Sequence, residues 1–179
     1  MSKKIVIISS SLRRDSNSEA LAQAFQRGAE EAGNDVTFIS LRGRKIAFCL
    51  GCLTCQRTGR CVISDDANAI EQEVLNADAV VLATPVYYYE MSGQLKTLLD
   101  RMNSMYPKDY RFRSVYALTA AAEDEPHVPE RAVSGITGWI DCYEKAKLAG
   151  SVFAGGVTDA GSIAGHPALQ QAHEMGKRV

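Results

Sequence analysis

Apolar runs and helical patterns alternate along this chain. Lys3–Ser9 is short and rich in β-branched residues, which predicts a buried strand. Over Ser18–Gly33, Leu21, Ala24, Phe25, Gly28 and Ala29 share one face at helical spacing, and Gly33-Asn34 supplies the stop. Asp35–Leu41 predicts a second strand. Asp65–Asn76 predicts a helix with Ala67, Ile70, Val74 and Ala77 on one stripe and Ser64 or Asp65 as its cap. Ala77–Thr84 is a third apolar run. Met91–Asn103 puts Met91, Leu95, Leu98, Leu99 and Met102 on one helical face. Ser114–Ala120 and the weaker Ala149–Gly155 complete a set of five strands, with Arg131–Ala146 and Pro167–Lys177 as further helices. The segments Arg42–Ser64, Glu123–Glu130 and Thr158–Gly165 carry no periodicity and read as loops.

Short apolar strands alternating with helices predict an α/β fold, a five-stranded parallel sheet with helices on both faces. Open sheets of this kind bind ligands beyond the carboxyl ends of their strands, near the switch point in strand order. The loops following the first, third and fourth strands are therefore the places to look for chemistry.

A chain of 179 residues has the size of one domain, so residues 1–179 are expected to form a single unit. With 46% hydrophobic and 23% charged residues it can bury a core. A net charge of −1 provides no global basic field for nucleic acid or an anionic membrane. No apolar run approaches the length of a membrane span. Met1-Ser2-Lys3-Lys4 leads straight into the first strand without a signal-peptide pattern, so a cytoplasmic location is expected.

The loop after the first strand reads Ser9-Ser10-Ser11-Leu12-Arg13-Arg14-Asp15-Ser16-Asn17-Ser18. It joins a strand to a helix N-terminus, where unpaired N–H groups and the helix dipole favour an anion. Serine hydroxyls, an asparagine amide and two guanidinium groups add donors suited to a phosphate monoester, or to an ordinary capped turn. Neither a P-loop nor a dinucleotide-binding glycine fingerprint is present. The loop after the third strand, Thr84-Pro85-Val86-Tyr87-Tyr88-Tyr89-Glu90, carries three successive tyrosines, which cannot all point inward. They suit the wall of a flat aromatic ligand such as isoalloxazine, a core edge or a subunit interface.

Ser11-Leu12-Arg13 with Asn17-Ser18 resembles the phosphate loop of NADPH-dependent FMN reductases and iron–sulfur flavoproteins. Thr84-Pro85-Val86-Tyr87, followed by Met91-Ser92-Gly93-Gln94-Leu95-Lys96 and Leu99-Asp100-Arg101, is similar to their second flavin loop and its helix. The resemblance covers residues 3 to 120. It implies a flavodoxin-like fold with strand order 2-1-3-4-5 and bound FMN. By position, Ser11, Arg13, Asn17 and Ser18 would hold the phosphate. Pro85, Val86, Tyr87 and Tyr88 would line the isoalloxazine, with Thr119, Ala120 and Ala121 closing the other side. Ser10 and Leu12 stand where those proteins usually have Gly and Pro, and Ala120-Ala121-Ala122 replaces a glycine-rich turn. The resemblance further implies an oxidoreductase, NAD(P)H as co-substrate, a small-molecule acceptor or a ferredoxin-like protein as partner, and a homodimer or homotetramer. No acid–base residue is singled out.

Cys49-x2-Cys52-x2-Cys55-x5-Cys61 is a compact set of four thiols. Its spacing is similar to that of iron–sulfur flavoproteins, which implies a [4Fe–4S] cluster exchanging electrons with FMN. A zinc site, reactive thiols beside Arg57 and Arg60, or a substrate-side loop shaped by Gly51 and Gly59 are the alternatives. Cys142 reads as a half-buried small side chain. Of the histidines, His127 is expected on an exposed loop and His166 at a helix cap.

Overall fold

The computed structural model describes residues 2–179. Its strands are β1 (Lys4–Ser9), β2 (Asp35–Ser40), β3 (Ala79–Tyr87), β4 (Glu90–Met91), β5 (Ser114–Ala120) and β6 (Lys147–Ala154). Its α-helices are α1 (Asn17–Glu31), α2 (Thr54–Thr58), α3 (Asp66–Leu75), α4 (Gly93–Arg101), α5 (Glu130–Ile140) and α6 (Pro167–Lys177). The order β2-β1-β3-β5-β6 is parallel throughout, as expected for a flavodoxin-like sheet. The chain adds β2 on one side of β1 and β3 on the other, and this reversal of strand order creates the switch point between β1 and β3.

Alternation along the strands divides the core in two. Val6, Ile8, Val80 and Leu82 pack under α3, α4 and α5, while Ile5, Ile7, Val81 and Leu118 face α1 and α6. Helices α1 and α6 meet backbone to backbone. A Cβ on Gly28 would lie 2.0 Å from the His173 carbonyl oxygen, and one on Gly176 would lie 2.1 Å from that of Phe25. Glycine is required at both positions by this approach. The close crossing brings the loop after β6 against the loop after β1.

Three elements depart from the sequence expectation. β3 runs on through Pro85 to Tyr87 and turns back on itself, pairing Val86 with Met91 and Tyr87 with Glu90. Met91 is therefore a buried strand residue, and α4 starts only after Ser92, whose hydroxyl accepts the Leu95 N–H at 3.3 Å. α5 stops at Ile140 instead of reaching Ala146, because Tyr143 folds back into an aromatic cluster. Its ring lies 5.0 Å from that of Trp139 and 5.4 Å from that of Phe112, and its hydroxyl donates to the Met102 carbonyl. Inside the irregular stretch after β2, residues Thr54–Thr58 form the short helix α2.

Candidate functional site

The loop after β1 lies at the switch point and is buried at both ends: Ser10 and Ser11 on one side and Ser16, Asn17 and Ser18 on the other sit inside the protein, while residues 12–15 between them are exposed. Ser16 caps α1, accepting the Glu19 N–H, and exchanges a 3.1 Å hydrogen bond with Ser18. Ser11 Oγ accepts the Arg13 N–H at 3.3 Å, curling the loop over the first turn of α1. The N–H groups of that turn point toward the loop, with the positive end of the helix dipole behind them.

Ser10 turns the other way. Its hydroxyl donates to the Ala83 carbonyl at 3.1 Å and accepts from Ser92 Oγ at 2.8 Å, and Ser92 N–H donates to Thr84 Oγ1 at 2.9 Å. These buried bonds lock the β1 loop to the β3 loop.

The outer side chains of the loop are also engaged. Asn17 Nδ2 donates to the carbonyls of Val157 (3.2 Å) and Asp159 (2.9 Å), and its Oδ1 accepts the Ile163 N–H. Its side chain therefore tethers the loop after β6, and its backbone N–H is what remains for an anion. Arg13 donates to the Thr158 carbonyl at 2.7 Å, while its own carbonyl accepts from Arg42 at 2.9 Å. With Arg14, these guanidinium groups surround the loop.

Beside it a cleft of about 340 Å³ opens between the loops after β3 and β5. Val86, Tyr87 and Tyr88 form one wall, Ala121 and Ala122 the other, and Tyr89 and Glu123 stand at the rim. Tyr88 and Tyr89 are the two central residues of the β3–β4 hairpin, with φ of 51° and 68°. Positive φ at both places is the geometry of a type I′ turn, which normally selects Asn and Gly. Two tyrosines there are backbone outliers, and such outliers concentrate at ligand sites. Tyr88 is 96% exposed.

Of the third group of expected contacts, Ala121 lines the cleft. Thr119 instead donates to the Val152 carbonyl at 3.3 Å, and Ala120 is buried within the core packed under α1 and α6. Tyr89, Ala122, Glu123 and Ser92 were not foreseen from sequence. The tyrosine run signals the first, and Ser92 and Ala122 stand in the family-like loop motifs without a role being assigned to them; Glu123 carries no signal without the fold.

The cysteines occupy a loop held at both ends. Arg101, whose side chain is fully buried at the end of α4, donates to both oxygens of Asp65, at 2.6 and 3.0 Å. It also donates to the carbonyls of Ala47 (2.9 Å) and Ile63 (3.1 Å), while Asp65 accepts the Ala47 N–H at 2.8 Å. One ion pair thus closes residues 47–63 into a loop. Burial works against the Asp65 charge, but the guanidinium and the Ala47 and Ala67 N–H groups hold its carboxyl below the ordinary value.

Within this loop Cys55 is buried, Cys49 and Cys61 half-buried, and Cys52 exposed. Burial pushes the Cys55 thiol up, and the proximity of Cys61 and Cys49 adds to the effect. The Thr54 N–H and hydroxyl lower Cys52. Among the described residues, no three or more Cys, His, Asp or Glu side chains converge as a metal would require. The four thiols share a loop here without meeting at a point. Arg101 reaches Cys61, and its Nε is buried without a partner.

A parallel α/β sheet in this strand order, with a serine-lined loop beside an aromatic cleft at its switch point, defines a flavodoxin-like fold. The chain belongs to the NADPH-dependent FMN reductase family, whose model matches residues 3–133. An iron–sulfur flavoprotein of Archaeoglobus fulgidus is 38% identical over 99 residues, 55% of this chain and 45% of that protein. One from Methanosarcina thermophila is 28% identical over 156 residues, covering 87% and 82%. The chain spans about half the length of the first of these curated relatives. Among solved structures, an NAD(P)H:quinone oxidoreductase from Methanothermobacter marburgensis superposes with a TM-score of 0.75 at 15% identity, over 99% of this chain and 97% of that one. An azoreductase from Bacillus anthracis does so at 0.74 and 16% identity, over the whole of both chains. At these identities the structural likeness concerns the fold.

Proposed function

We propose that this chain binds FMN and works as an NAD(P)H-linked, FMN-dependent oxidoreductase that passes electrons to a small-molecule acceptor such as a quinone or free flavin. The observation that carries the reading is the Ser10–Ser92–Thr84 network. It fixes an anion-binding loop and an aromatic cleft side by side, as a mononucleotide with a flat ring system requires. Family membership supports it.

In this reading Ser11, Ser18 and the N–H groups at the start of α1 hold the phosphate, with Arg13 and Asn17 bracing the loop around it. Pro85, Val86, Tyr87 and Tyr88 wall one face of the isoalloxazine and Ala121 the other, with Thr119 and Ala120 as support behind. When bound, the flavin supplies the hydride and electron chemistry. The protein's part is to hold it between these walls and to leave the exposed tyrosines beside the entry for the co-substrate. Homodimeric or homotetrameric assembly and a cytoplasmic location belong to the same reading, as does residues 1–179 acting as one domain. Among the described residues, no helix is long and apolar enough to cross a membrane.

Titration with FMN tests this. Quenching of flavin fluorescence to a saturable endpoint, followed by NADPH oxidation with a quinone as acceptor, is expected. Absence of flavin uptake at high micromolar FMN would refute it.

A second reading is an electron carrier in which Cys49, Cys52, Cys55 and Cys61 hold a [4Fe–4S] cluster beside the flavin, with a ferredoxin-like protein as partner. Four thiols on a loop closed at its base by Arg101 and Asp65 favour it, as do the names of the relatives. Four iron and four sulfide per chain after anaerobic reconstitution, lost in Cys55→Ser, is the expected result. An iron-free protein after that treatment leaves the reductase alone.

A further inference from the structure

Tyr89 is where the two walls of the cleft are joined. Its hydroxyl donates to Glu123 Oε2 at 3.0 Å, across from the β3 hairpin to the loop after β5. Its carbonyl accepts the Ala132 N–H at 3.1 Å. The His127 ring stacks on it at 6.1 Å and 19°, and the Arg131 guanidinium lies 5.9 Å from the ring centre. Glu123 is itself pinned from behind: its carbonyl accepts the Gly156 N–H at 3.3 Å, and a Cβ on Gly155 would lie 2.9 Å from that carbonyl oxygen. Tyr89 and Glu123 both line the cleft, braced from outside by α5 and by the loop after β6, and Glu123 places a carboxylate at its rim.

We propose that Tyr89 and Glu123 form a latch that sets the width of the flavin cleft and makes the bound flavin a stronger reductant. Reduction adds negative charge to the isoalloxazine. A carboxylate fixed at the rim opposes that charge, while the donor hydroxyl of Tyr89 moderates the opposition. Around the Tyr89 hydroxyl itself, Glu125 adds negative charge beside Glu123, and Arg131 of α5 adds positive charge over the tyrosine ring. Both are positioning residues acting through the flavin, and the inference rests on FMN occupying the cleft. It adds to that reading the class of acceptor: compounds of low potential, which a flavin without this carboxylate would reduce poorly.

The experiment is spectroelectrochemical titration of bound FMN in wild type, Glu123→Gln and Tyr89→Phe, with FMN affinity measured for each. Glu123→Gln keeps an acceptor for the Tyr89 hydroxyl and removes the charge, so the midpoint potential is expected to move positive with FMN affinity within about threefold of wild type. Tyr89→Phe keeps the ring and frees the carboxylate, so the potential is expected to move negative while FMN affinity falls about threefold to tenfold. A latch that is only structural would lower affinity in both variants at an unchanged potential, and that result overturns the proposal. Wild-type protein that takes up no FMN overturns the flavin reading and this inference with it. Wild type that binds FMN, with Glu123→Gln at the wild-type potential, overturns this inference alone.

Discussion

Two loops leave the carboxyl edge of the sheet side by side, one after β1 and one after β2, and they are built in opposite ways. The β1 loop is buried at both ends and cross-linked to its surroundings there, Ser10 to Ala83 and Ser92 and Asn17 to the loop after β6, while its exposed middle is held by Ser11 to Arg13 and by Arg13 to Thr158. The cysteine loop is fastened chiefly at its base, through Arg101 and Asp65, and of residues 47–63 only Cys55 is buried. Between those ends Phe48 is 79% exposed and Leu50 73%. The difference separates a preformed cradle, whose shape is set before a ligand arrives, from a loop whose interior is free to close on something.

The sharpest way to break the contrast is at the base of the cysteine loop. Asp65→Asn leaves the Arg101 guanidinium buried without its charge partner and is expected to cost about 3–5 kcal/mol in urea unfolding. It should leave FMN affinity within about threefold, because none of its contacts reaches the β1 loop. The pair also predicts an acid response. The Asp65 carboxyl titrates lower in the folded than in the unfolded chain. Its contribution is therefore complete above the unfolded value of about 3.9 and is lost as pH falls through the folded one. Wild type should lose stability over that window, and Asp65→Asn should show a flatter profile there. An equally steep profile in the variant would assign the acid sensitivity to other carboxylates.

The complementary change is Ser92→Ala in the cradle. It removes the α4 cap and the donor to Ser10 together, for an expected loss of about 1–3 kcal/mol, smaller than at Asp65. Here FMN affinity should fall well beyond threefold, since the register between the anion loop and the aromatic cleft depends on this serine. If Ser92→Ala loosens the protein and leaves FMN binding untouched, the cradle is not preformed in the sense argued above.

The sequence showed the cradle more readily than the cysteine loop, and the reason is physical. Strand periodicity, the position of a loop at a strand's carboxyl end and its hydrogen-bonding inventory are local properties, so the parallel sheet and the serine loop were legible, while the strand order followed only from the family resemblance. The roles inside the loop were not. Asn17 has the chemistry of a phosphate ligand, yet its amide is taken by three carbonyl and N–H groups of the loop after β6, some 140 residues away in sequence. Arg101 entered only as the last residue of the Leu99-Asp100-Arg101 motif, with no role attached. Only the fold reveals that it closes a loop by bonding Ala47 and Ile63. The hairpin after β3 was hidden because its turn has tyrosines where Asn-Gly is the usual sign. The cysteine spacing was plain to read, but what the thiols do depends on how that loop closes.

The smallest predicted effect concerns that turn. Tyr88 sits at φ 51° and is almost fully exposed, so its ring adds little packing to offset a left-handed backbone. A left-handed conformation costs an L residue about 1–2 kcal/mol, and glycine escapes that cost but loses about 0.5–1 kcal/mol of chain entropy on folding. Tyr88→Gly should therefore be more stable than wild type by up to about 1 kcal/mol. Tyr88→Ala keeps the strain and should sit at or just below the wild-type value. Both variants lose the ring that walls the cleft, so both should bind FMN more weakly. A gain in stability confined to the glycine variant, with weaker flavin binding in both, would show that the strained turn is retained for its ring. Were Tyr88→Gly the less stable of the two, the strain would be absent, and the tyrosine turn would have to be explained by packing alone.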